Sequence, residues 1–369
     1  MSGIAQPATN ILAADGKIPL AGAARLRRVN PIPSMLASSL ATVPKTYAEL
    51  LRAVQQALLM SYVIGIRHSS RMKALLSLVL VLSVPSFAGA VPSIEETYAA
   101  QGRLILAPFA SAPFPHPARA KGHPYQGTLY SAKEHYADNT VAIFIPKGFR
   151  ETGRVDFIVH FHGWRNTVAG TLASYHLIEQ LVASGKNAVL VVPEGPHDAP
   201  DSFGGKLEDP DGFKRFMDEV VATLRDRAAF NSKDFSVGRI ILSGHSGGYQ
   251  VIAGILDRGG LPKKADEVWL FDALYGQTDS FLAWADRTHG RLLNIYTDHG
   301  GTKEESEKLQ ARLTARGTKI LATGETSLGT DALKTNQFVF IHTDLGHDDV
   351  MAKRNQFELF LKTSALADR

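Results

Sequence analysis

The chain has 369 residues, of which 44% are hydrophobic, enough for one large α/β domain or two small ones. Its formal net charge of +4 comes from the first 90 residues, which carry +7, whereas the remainder carries −3. The composition therefore gives no reason to expect a nucleic-acid partner. Because the chain has no cysteine, its fold uses no disulfide bonds.

Residues 72–90 have the layout of a secretory signal peptide. A positive patch, Arg71-Met72-Lys73, precedes an apolar run at 74–84, and Ala88-Gly89-Ala90 supplies the small-x-small site that a signal peptidase needs. Because a bilayer span needs about 20 residues, the apolar run is short for a membrane anchor. We expect cleavage, no stable membrane insertion afterwards, and a secreted or periplasmic protein. A buried core helix and an uncut anchor are the alternatives.

Residues 1–71 show neither strand alternation nor any other globular pattern. The signal peptide starts at Met72 rather than at Met1. We therefore expect the upstream segment to be an over-extended translation, with the true start at Met72 or Met60. A disordered extension is the alternative.

Prolines at positions 108, 113, 115, 117 and 124 punctuate the segment 91–127. Prolines at this spacing interrupt helices, so we predict an irregular arm that wraps the surface.

Residues 128–369 are predicted to form an α/β domain, because strand-like and helix-like runs alternate along them. Most of the strand-like runs are apolar without alternation, which is typical of parallel strands covered on both faces. The candidate strands are 140–145, 155–161, 188–192, 239–243, 268–271, 292–296 and 338–342, and the candidate helices are 211–227, 303–316 and 351–363.

Gly244-His245-Ser246-Gly247-Gly248 joins one of these strands to a helix-like run. A G-x-S-x-G pentapeptide in this context is the signature of a nucleophile elbow, where glycines leave room for a tight turn. The turn holds the serine hydroxyl at a helix N-terminus, where backbone N–H groups can receive negative charge. Ser246 is therefore the predicted nucleophile.

A serine hydroxyl needs a base before it can attack an acyl carbon. In enzymes with this elbow the chain order is serine, acid, histidine. His347 follows the last predicted strand and precedes the last helix, so it is the predicted base; a surface histidine that caps the helix is the alternative. His342 lies inside the strand and is predicted to be structural.

Two aspartates could supply the acid. Asp272 follows the strand 268–271, and Asp298 follows the strand 292–296. Both are expected at the carboxyl edge of the sheet, where ligands and catalytic groups gather in parallel sheets. Either could orient the imidazole of His347, and the sequence leaves the choice open, with Asp272 ranked first.

An oxyanion hole needs two N–H donors. One is expected from Gly247, directly after the serine, and the other from the loop after the strand 155–161. The N–H of Trp164 or of Gly163 in that loop is the predicted second donor. His160 and His162 share one strand face and could instead bind a metal ion, but no third ligand is evident, so we predict neither a metal site nor a cofactor.

The chain resembles the α/β-hydrolase superfamily at three points, each directly after a predicted strand. They are the pentapeptide at 244–248, His162-Gly163 and Gly346-His347. The resemblance implies a mostly parallel eight-stranded sheet and a Ser–acid–His triad. Most members place the acid where Asp298 stands, and some lipases place it where Asp272 stands. The short interval between Asp272 and Arg291 leaves little room for a large inserted cap.

Together with the predicted signal peptide, the resemblance leads us to expect an exported serine hydrolase that cleaves carboxylic esters, small or polymeric, through an acyl-enzyme intermediate. The alternatives are a serine peptidase or amidase of the same fold, and a hydrolase-fold binding protein that has lost catalysis. The acyl group, the leaving group and the oligomeric state are left open by the sequence.

We expect the exported protein to begin near Val91, because the peptidase site ends at Ala90. N-terminal sequencing of protein recovered from the medium or periplasm measures this directly. Recovery of a membrane-bound chain that still contains residues 72–90 would contradict cleavage and favour the uncut anchor.

Overall fold

The computed structural model describes residues 92–227, 230, 234–261 and 263–369. The predictions for residues 1–71 and for the signal peptide at 72–90 therefore lie outside the described residues. Within the described residues, no helix is both long and apolar enough to cross a membrane.

The described domain is built on a nine-stranded sheet with the strand order β1-β4-β6-β5-β7-β8-β9-β11-β10, beside a separate two-stranded sheet, β2-β3. The strands are β1 (Gly102–Pro108), β2 (His123–Tyr125), β3 (Thr128–Tyr130), β4 (Thr140–Pro146), β5 (Arg154–Phe161), β6 (Val189–Pro193), β7 (Ser236–His245), β8 (Ala265–Phe271), β9 (Arg291–Thr297), β10 (Leu321–Gly324) and β11 (Phe338–Thr343).

Only β4 runs against the other strands of the large sheet. It pairs antiparallel with β1 on one side and with β6 on the other, whereas every remaining neighbouring pair is parallel. Parallel neighbours need long crossover connections, and helices supply most of them. The predicted fold class, a mostly parallel α/β sheet, is confirmed, and each of the seven candidate strands is present.

Two strands of the large sheet, β1 and β10, were not among the seven candidates, and this sheet has nine strands rather than the eight that the resemblance implied. The two strands of the small sheet, β2 and β3, were not predicted either. β1 lies inside the segment 91–127, together with a short helix at 94–98 and β2 at 123–125, so the prediction of an irregular arm is wrong for these residues. The prolines that suggested irregularity lie at the end of β1 and beyond it, and the residues before them pair with β4 in full register. β10 is a short strand at the opposite edge of the sheet, paired only with β11.

Helices cover both faces of the sheet. The helices are α1 (Ile94–Tyr98), α2 (Ala132–His135), α3 (Val168–Ser174), α4 (Leu177–Ser184), α5 (Gly212–Arg227), α6 (Gly248–Arg258), α7 (Thr278–Thr288), α8 (Lys303–Ala315), α9 (Thr330–Thr335) and α10 (Gln356–Thr363). The last helix begins at Gln356 rather than at Met351 as predicted, because Asn355 before it has a left-handed backbone (φ 52°) that interrupts a helix.

The strands carry apolar side chains on both faces, and these form two separate cores. Phe157 and Val159 of β5 point into the core under α5–α8, whereas Ile158 between them points into the core under α3, α4 and α10. This alternation follows from the period-2 pleat of a strand. A strand covered on both faces must be apolar at nearly every position, which explains the continuous hydrophobic runs in the sequence.

The fold brings four loops to one edge of the sheet. β5, β7, β8 and β11 run parallel, so the loops that follow them all leave from their carboxyl ends. The connection between β8 and β9 contains only α7 and short turns, as expected for a domain with no large cap at this position.

Candidate active site

Ser246 is the first residue of a two-residue turn between β7 and α6, and its backbone is left-handed (φ 53°). This conformation is strained for a residue with a side chain, and such strain is found where surrounding structure enforces it. The N–H of Ser246 donates to the carbonyl of Phe271 at 3.3 Å, which ties the turn to the end of β8. The serine hydroxyl is thereby held at the start of a helix, as an elbow requires.

The glycines around Ser246 are required by close contacts. A Cβ on Gly244 would lie 2.8 Å from the Cδ1 of Ile252, and one on Gly248 would lie 2.6 Å from the carbonyl oxygen of Phe161. The backbone therefore approaches too closely for a side chain at Gly248, and a side chain at Gly244 would require Ile252 to shift.

His347 follows β11 in a short 3₁₀ turn, and its Nδ1 lies 2.5 Å from Oδ2 of Asp272. The two residues are separated by 75 positions in sequence, and they meet because β8 and β11 end at the same sheet edge. Asp272 is fully buried, whereas the side chain of His347 is 29% exposed. An imidazole oriented by a buried carboxylate can accept a proton on its other nitrogen.

The carboxylate of Asp272 is surrounded by donors. The N–H of Thr297 donates to Oδ1 at 3.0 Å, its hydroxyl donates to Oδ2 at 3.0 Å, and the hydroxyl of Thr302 donates to Oδ1. Burial alone would raise the pKa of Asp272, but the hydrogen bonds from His347 and Thr302 outweigh it and hold the pKa below its ordinary value. Asp272 is therefore ionised at neutral pH.

Asp298, the other candidate acid, is not placed near His347. Its Oδ1 accepts a hydrogen bond from Lys303 at 2.7 Å, and its Oδ2 lies 3.0 Å from Nε2 of His342. Both oxygens of this exposed carboxylate are thus directed to neighbours at the end of the sheet. The structure brings only Asp272 to the histidine.

Tyr275 joins the serine and the histidine on the solvent side. It lines the same cleft as Ser246, and its ring centre lies 6.3 Å from that of His347 in an edge-on arrangement. Burial, followed by the charge of Asp272, raises the pKa of Tyr275, so the phenol stays protonated at physiological pH.

His245 is buried beneath the site and connects the elbow to the loop that carries His347. Its Nε2 lies 2.9 Å from the carbonyl oxygen of His347, and its Nδ1 lies 2.9 Å from the hydroxyl of Tyr175. Since a carbonyl can only accept, Nε2 must carry the proton, and Nδ1 accepts from the tyrosine. Burial, followed by repulsion from His347, lowers the pKa of His245 to about 4, so the ring is neutral.

The loop after β5 passes directly against the serine. A Cβ on Gly163 would lie 2.5 Å from the Cβ of Ser246 and 3.0 Å from its Oγ, so only glycine fits. The side chain of His162 holds this loop through two hydrogen bonds. Its Nδ1 donates to the carbonyl of Gly163 at 2.8 Å, and its Nε2 accepts from the N–H of Gly195 at 3.0 Å.

His160 and His162, which were considered as a metal pair, make separate sets of contacts. Both nitrogens of His162 are used in the hydrogen bonds just described. His160 lies fully buried between the rings of Tyr175 and Phe357, and its Nδ1 lies 3.0 Å from the hydroxyl oxygen of Ser243. Burial holds the pKa of His160 well below its ordinary value. Nε2 of His160 has no hydrogen-bond partner among the described residues, but both nitrogens of His162 are engaged, so the two rings do not offer a pair of free ligand atoms.

A cleft of about 230 Å³ opens beside the serine. Trp164, which is 44% exposed, forms one wall, and its Nε1 donates to the hydroxyl of Ser202 at 2.8 Å. Two tyrosines complete the aromatic lining. The lining residues are Trp164, Ser202, Ser246, Gly247, Tyr249 and Tyr275. The candidate nucleophile is thus reached through a cleft with aromatic walls and few polar groups.

Several residues of the site were not predicted from the sequence. Tyr275 and Tyr249 line the cleft, Thr297 and Thr302 bind Asp272, and His245 supports the histidine loop. No motif marks these positions. The available signal was proximity alone, since Tyr275 lies three residues after Asp272 and His245 lies inside the pentapeptide.

No family model and no curated protein matches the chain. Among solved structures, it is similar to a ferulic acid esterase, with 12% identity and a TM-score of 0.45 over 71% of this chain and 98% of that one. It is also similar to the fluorophosphonate-binding serine hydrolase FphF of Staphylococcus aureus, with 10% identity and a TM-score of 0.43 over 72% and 99% of the two chains. A feruloyl esterase module from Clostridium thermocellum gives 8% identity and a TM-score of 0.43 over 77% and 94%.

The class of the protein follows from its own architecture. The strand order, the single reversed strand β4 and the left-handed serine turn after β7 define the α/β-hydrolase fold. The chain has this fold, as the resemblance in the sequence implied.

We expect the free energy of unfolding to fall as the pH is lowered from about 6.5 toward 4, because the unfolded chain then binds a proton at His245 that the folded chain excludes. The contribution of this group over the whole window is roughly 3 kcal/mol. Urea unfolding at several pH values measures the slope. His245→Gln removes the titrating group while keeping one donor and one acceptor, so an unchanged slope in that variant would contradict the assignment.

Proposed function

We propose that the protein is a serine hydrolase that cleaves carboxylic esters. The observation that carries the proposal is the convergence of three elements at one sheet edge. Ser246 lies in a strained elbow, His347 is held by the buried carboxylate of Asp272, and Gly163 presses its loop against the serine. Such an arrangement is suited to acyl transfer through a covalent intermediate.

In the proposed reaction, Oγ of Ser246 attacks the acyl carbon while Nε2 of His347 takes the hydroxyl proton. The tetrahedral intermediate collapses, the C–O bond to the leaving alcohol breaks, and His347 returns the proton to the alkoxide. Water then attacks the acyl-enzyme with His347 again as base, and the acid leaves with Ser246 restored. Asp272 remains ionised throughout and stabilises the imidazolium through Nδ1.

The oxyanion of that intermediate would be bound by backbone N–H groups. The N–H of Gly247 stands at the start of α6, where the helix dipole favours negative charge. The second donor would be the N–H of Trp164 or Gly163, in the loop that contacts the serine. His162 supports that loop by holding the Gly163 carbonyl, so the donors are positioned before the substrate arrives.

The cleft favours an ester with an apolar acyl or alcohol group. Its walls are the rings of Trp164, Tyr249 and Tyr275, and apart from the two phenols Ser202 supplies the one additional hydroxyl beside the nucleophile in the described lining. We propose export of this enzyme through the signal peptide at 72–90, with substrates that are small or polymeric esters. A peptidase, an amidase or a binding protein without catalysis would be revealed by the experiments below.

A fluorophosphonate probe should label the protein at Ser246, and Ser246→Ala should lose both labelling and hydrolysis of p-nitrophenyl esters. Peptide mapping of the labelled protein locates the modified residue. Amide hydrolysis that exceeds ester hydrolysis would replace the proposal with an amidase. If the folded protein neither reacts with the probe nor cleaves esters, the alternative of a binding protein without catalysis is favoured.

Asp272→Asn should lower kcat for ester hydrolysis by about 10³–10⁴-fold, because an amide cannot hold the required tautomer of His347 or stabilise its cation. Asp298→Asn is the matched control, since this aspartate also follows a strand at the same edge but contacts Lys303 and His342. The control should change kcat only a few-fold. Equal losses in the two variants would argue against Asp272 as the acid.

Gly163→Ala should abolish most of the activity, because its methyl group would lie 2.5 Å from the Cβ of Ser246 and would push the oxyanion loop away. We expect a loss in kcat of about 10²-fold or more, comparable to the loss of one oxyanion donor. Gly324→Ala places a methyl group in open space and serves as the control. Retention of full activity by Gly163→Ala would place the donors elsewhere.

A further inference from the structure

Three side chains outside the active site direct free ligand atoms toward one point. They are Asp138 before β4, Glu194 directly after β6, and His197 in the loop that follows. Nδ1 of His197 lies 3.4 Å from Oε1 of Glu194 and 3.8 Å from Oδ2 of Asp138. All three ligand atoms lie within 4.8 Å of one another.

Glu194 provides the independent reason to expect a ligand here. Its side chain is 3% exposed, and Oε1 has no hydrogen-bond partner among the described residues. The nearby Nε2 of His162, at 3.6 Å, accepts from the N–H of Gly195, so it presents a lone pair and cannot donate to this oxygen. A buried carboxylate oxygen without a donor is costly, and a bound cation would remove that cost.

The rest of each ligand residue is already held by the protein. Oε2 of Glu194 accepts from the N–H of Val168 at 2.8 Å, and Oδ1 of Asp138 accepts from the N–H of Thr140 at 2.8 Å. The backbone of His197 is fixed by His135, which accepts from its N–H at 2.9 Å and donates from Nδ1 to its carbonyl at 2.8 Å. Such supporting bonds are what orient ligands in metal sites.

We propose that Asp138, Glu194 and His197 bind a divalent transition-metal ion of the Zn²⁺ type. One imidazole and two carboxylates form a donor set that zinc accepts, whereas Ca²⁺ requires six to eight oxygens. A tetrahedral Zn²⁺ with bonds of about 2.0–2.1 Å sets its ligands roughly 3.3 Å apart. The His197–Glu194 separation of 3.4 Å matches this value, and Asp138, at 3.8 Å from His197, would move closer on binding. Asp138 and His197 are more than one-third exposed, so water can complete the coordination.

The position of the site assigns the ion a structural role. It would join the loop before β4 to the loop after β6, and through Glu194 it would brace the start of α3 at Val168. It lies on the opposite side of His162 from the Gly163 carbonyl that this histidine holds. The proposal does not depend on ester hydrolysis, because the three ligands are separate from Ser246, His347 and Asp272.

A second cluster, His245, His347 and Asp348, also has three potential ligand atoms close together. Both nitrogens of His245 are engaged by Tyr175 and by the carbonyl of His347, and Nδ1 of His347 is engaged by Asp272. This cluster belongs to the active site already described and lacks an unpartnered buried atom.

The test is the binding of Zn²⁺, and of Co²⁺ as a spectroscopic probe, to full-length protein freed of metal by dialysis against a chelator. We expect one equivalent to bind, with the Co²⁺ absorption of a low-coordinate nitrogen–oxygen site and a rise in Tm of several degrees at saturation. His197→Ala should weaken binding by about 100-fold or more, since it removes a direct ligand. Asp138→Asn should also weaken binding while keeping the acceptor for Thr140, so that its folding is preserved.

His342→Ala is the matched control, because His342 is equally exposed and also lies beside a carboxylate, Asp298. It should bind the metal like the parent protein. The proposal is overturned if the parent protein binds no metal at micromolar concentration, which would leave a simple Glu194–His197 ion pair. It is also overturned if binding survives in His197→Ala but is lost in His347→Gln, which would place the ion in the active site.

Discussion

The buried carboxylate of Asp272 is the constraint on which the candidate site depends. An ionised carboxylate with no solvent exposure costs several kcal/mol unless donors surround it. Its donors come from two loops: Thr297 and Thr302 lie at the two ends of the connection between β9 and α8, and His347 follows β11. The chain after β9 turns so tightly around it that a Cβ on Gly300 would lie 1.9 Å from its Oδ2. Satisfying one charge therefore brings three loops of the sheet edge together.

Two neutral histidines support this arrangement from beneath. His245 links the elbow to the histidine loop, and His162 links the loop after β5 to the loop after β6. Each uses one ring nitrogen as a donor to a carbonyl and the other as an acceptor, which is possible only for an uncharged imidazole. Each ring nitrogen therefore has a single partner, which fixes the orientation of both rings. Fully satisfied buried hydrogen bonds of this kind fix the positions of the loops and also stabilise them.

Sequence patterns predicted the central strands because those strands are covered on both faces. β5 to β9 and β11 must be apolar at nearly every position, so their runs are visible without structural information. The edge strands were harder to recognise. β1 was obscured by the prolines that follow it, and β10 is a four-residue strand that is only partly covered. The start of α10 depended on the left-handed backbone of Asn355, which no periodicity indicates.

The sequence by itself determined the elements whose signals are local. The elbow around Ser246 is visible because steric contacts between strand and helix demand glycines at fixed spacing, and His347 is visible because it follows the last strand. Only the tertiary structure showed which of Asp272 and Asp298 contacts His347. Both follow apolar strands at the same edge, and the difference lies in what each side chain meets. Asp298 contacts Lys303, five residues away, whereas Asp272 contacts His347, 75 residues away. A contact of that range depends on how β8, β9 and β11 lie side by side, and no local pattern of residues contains that information.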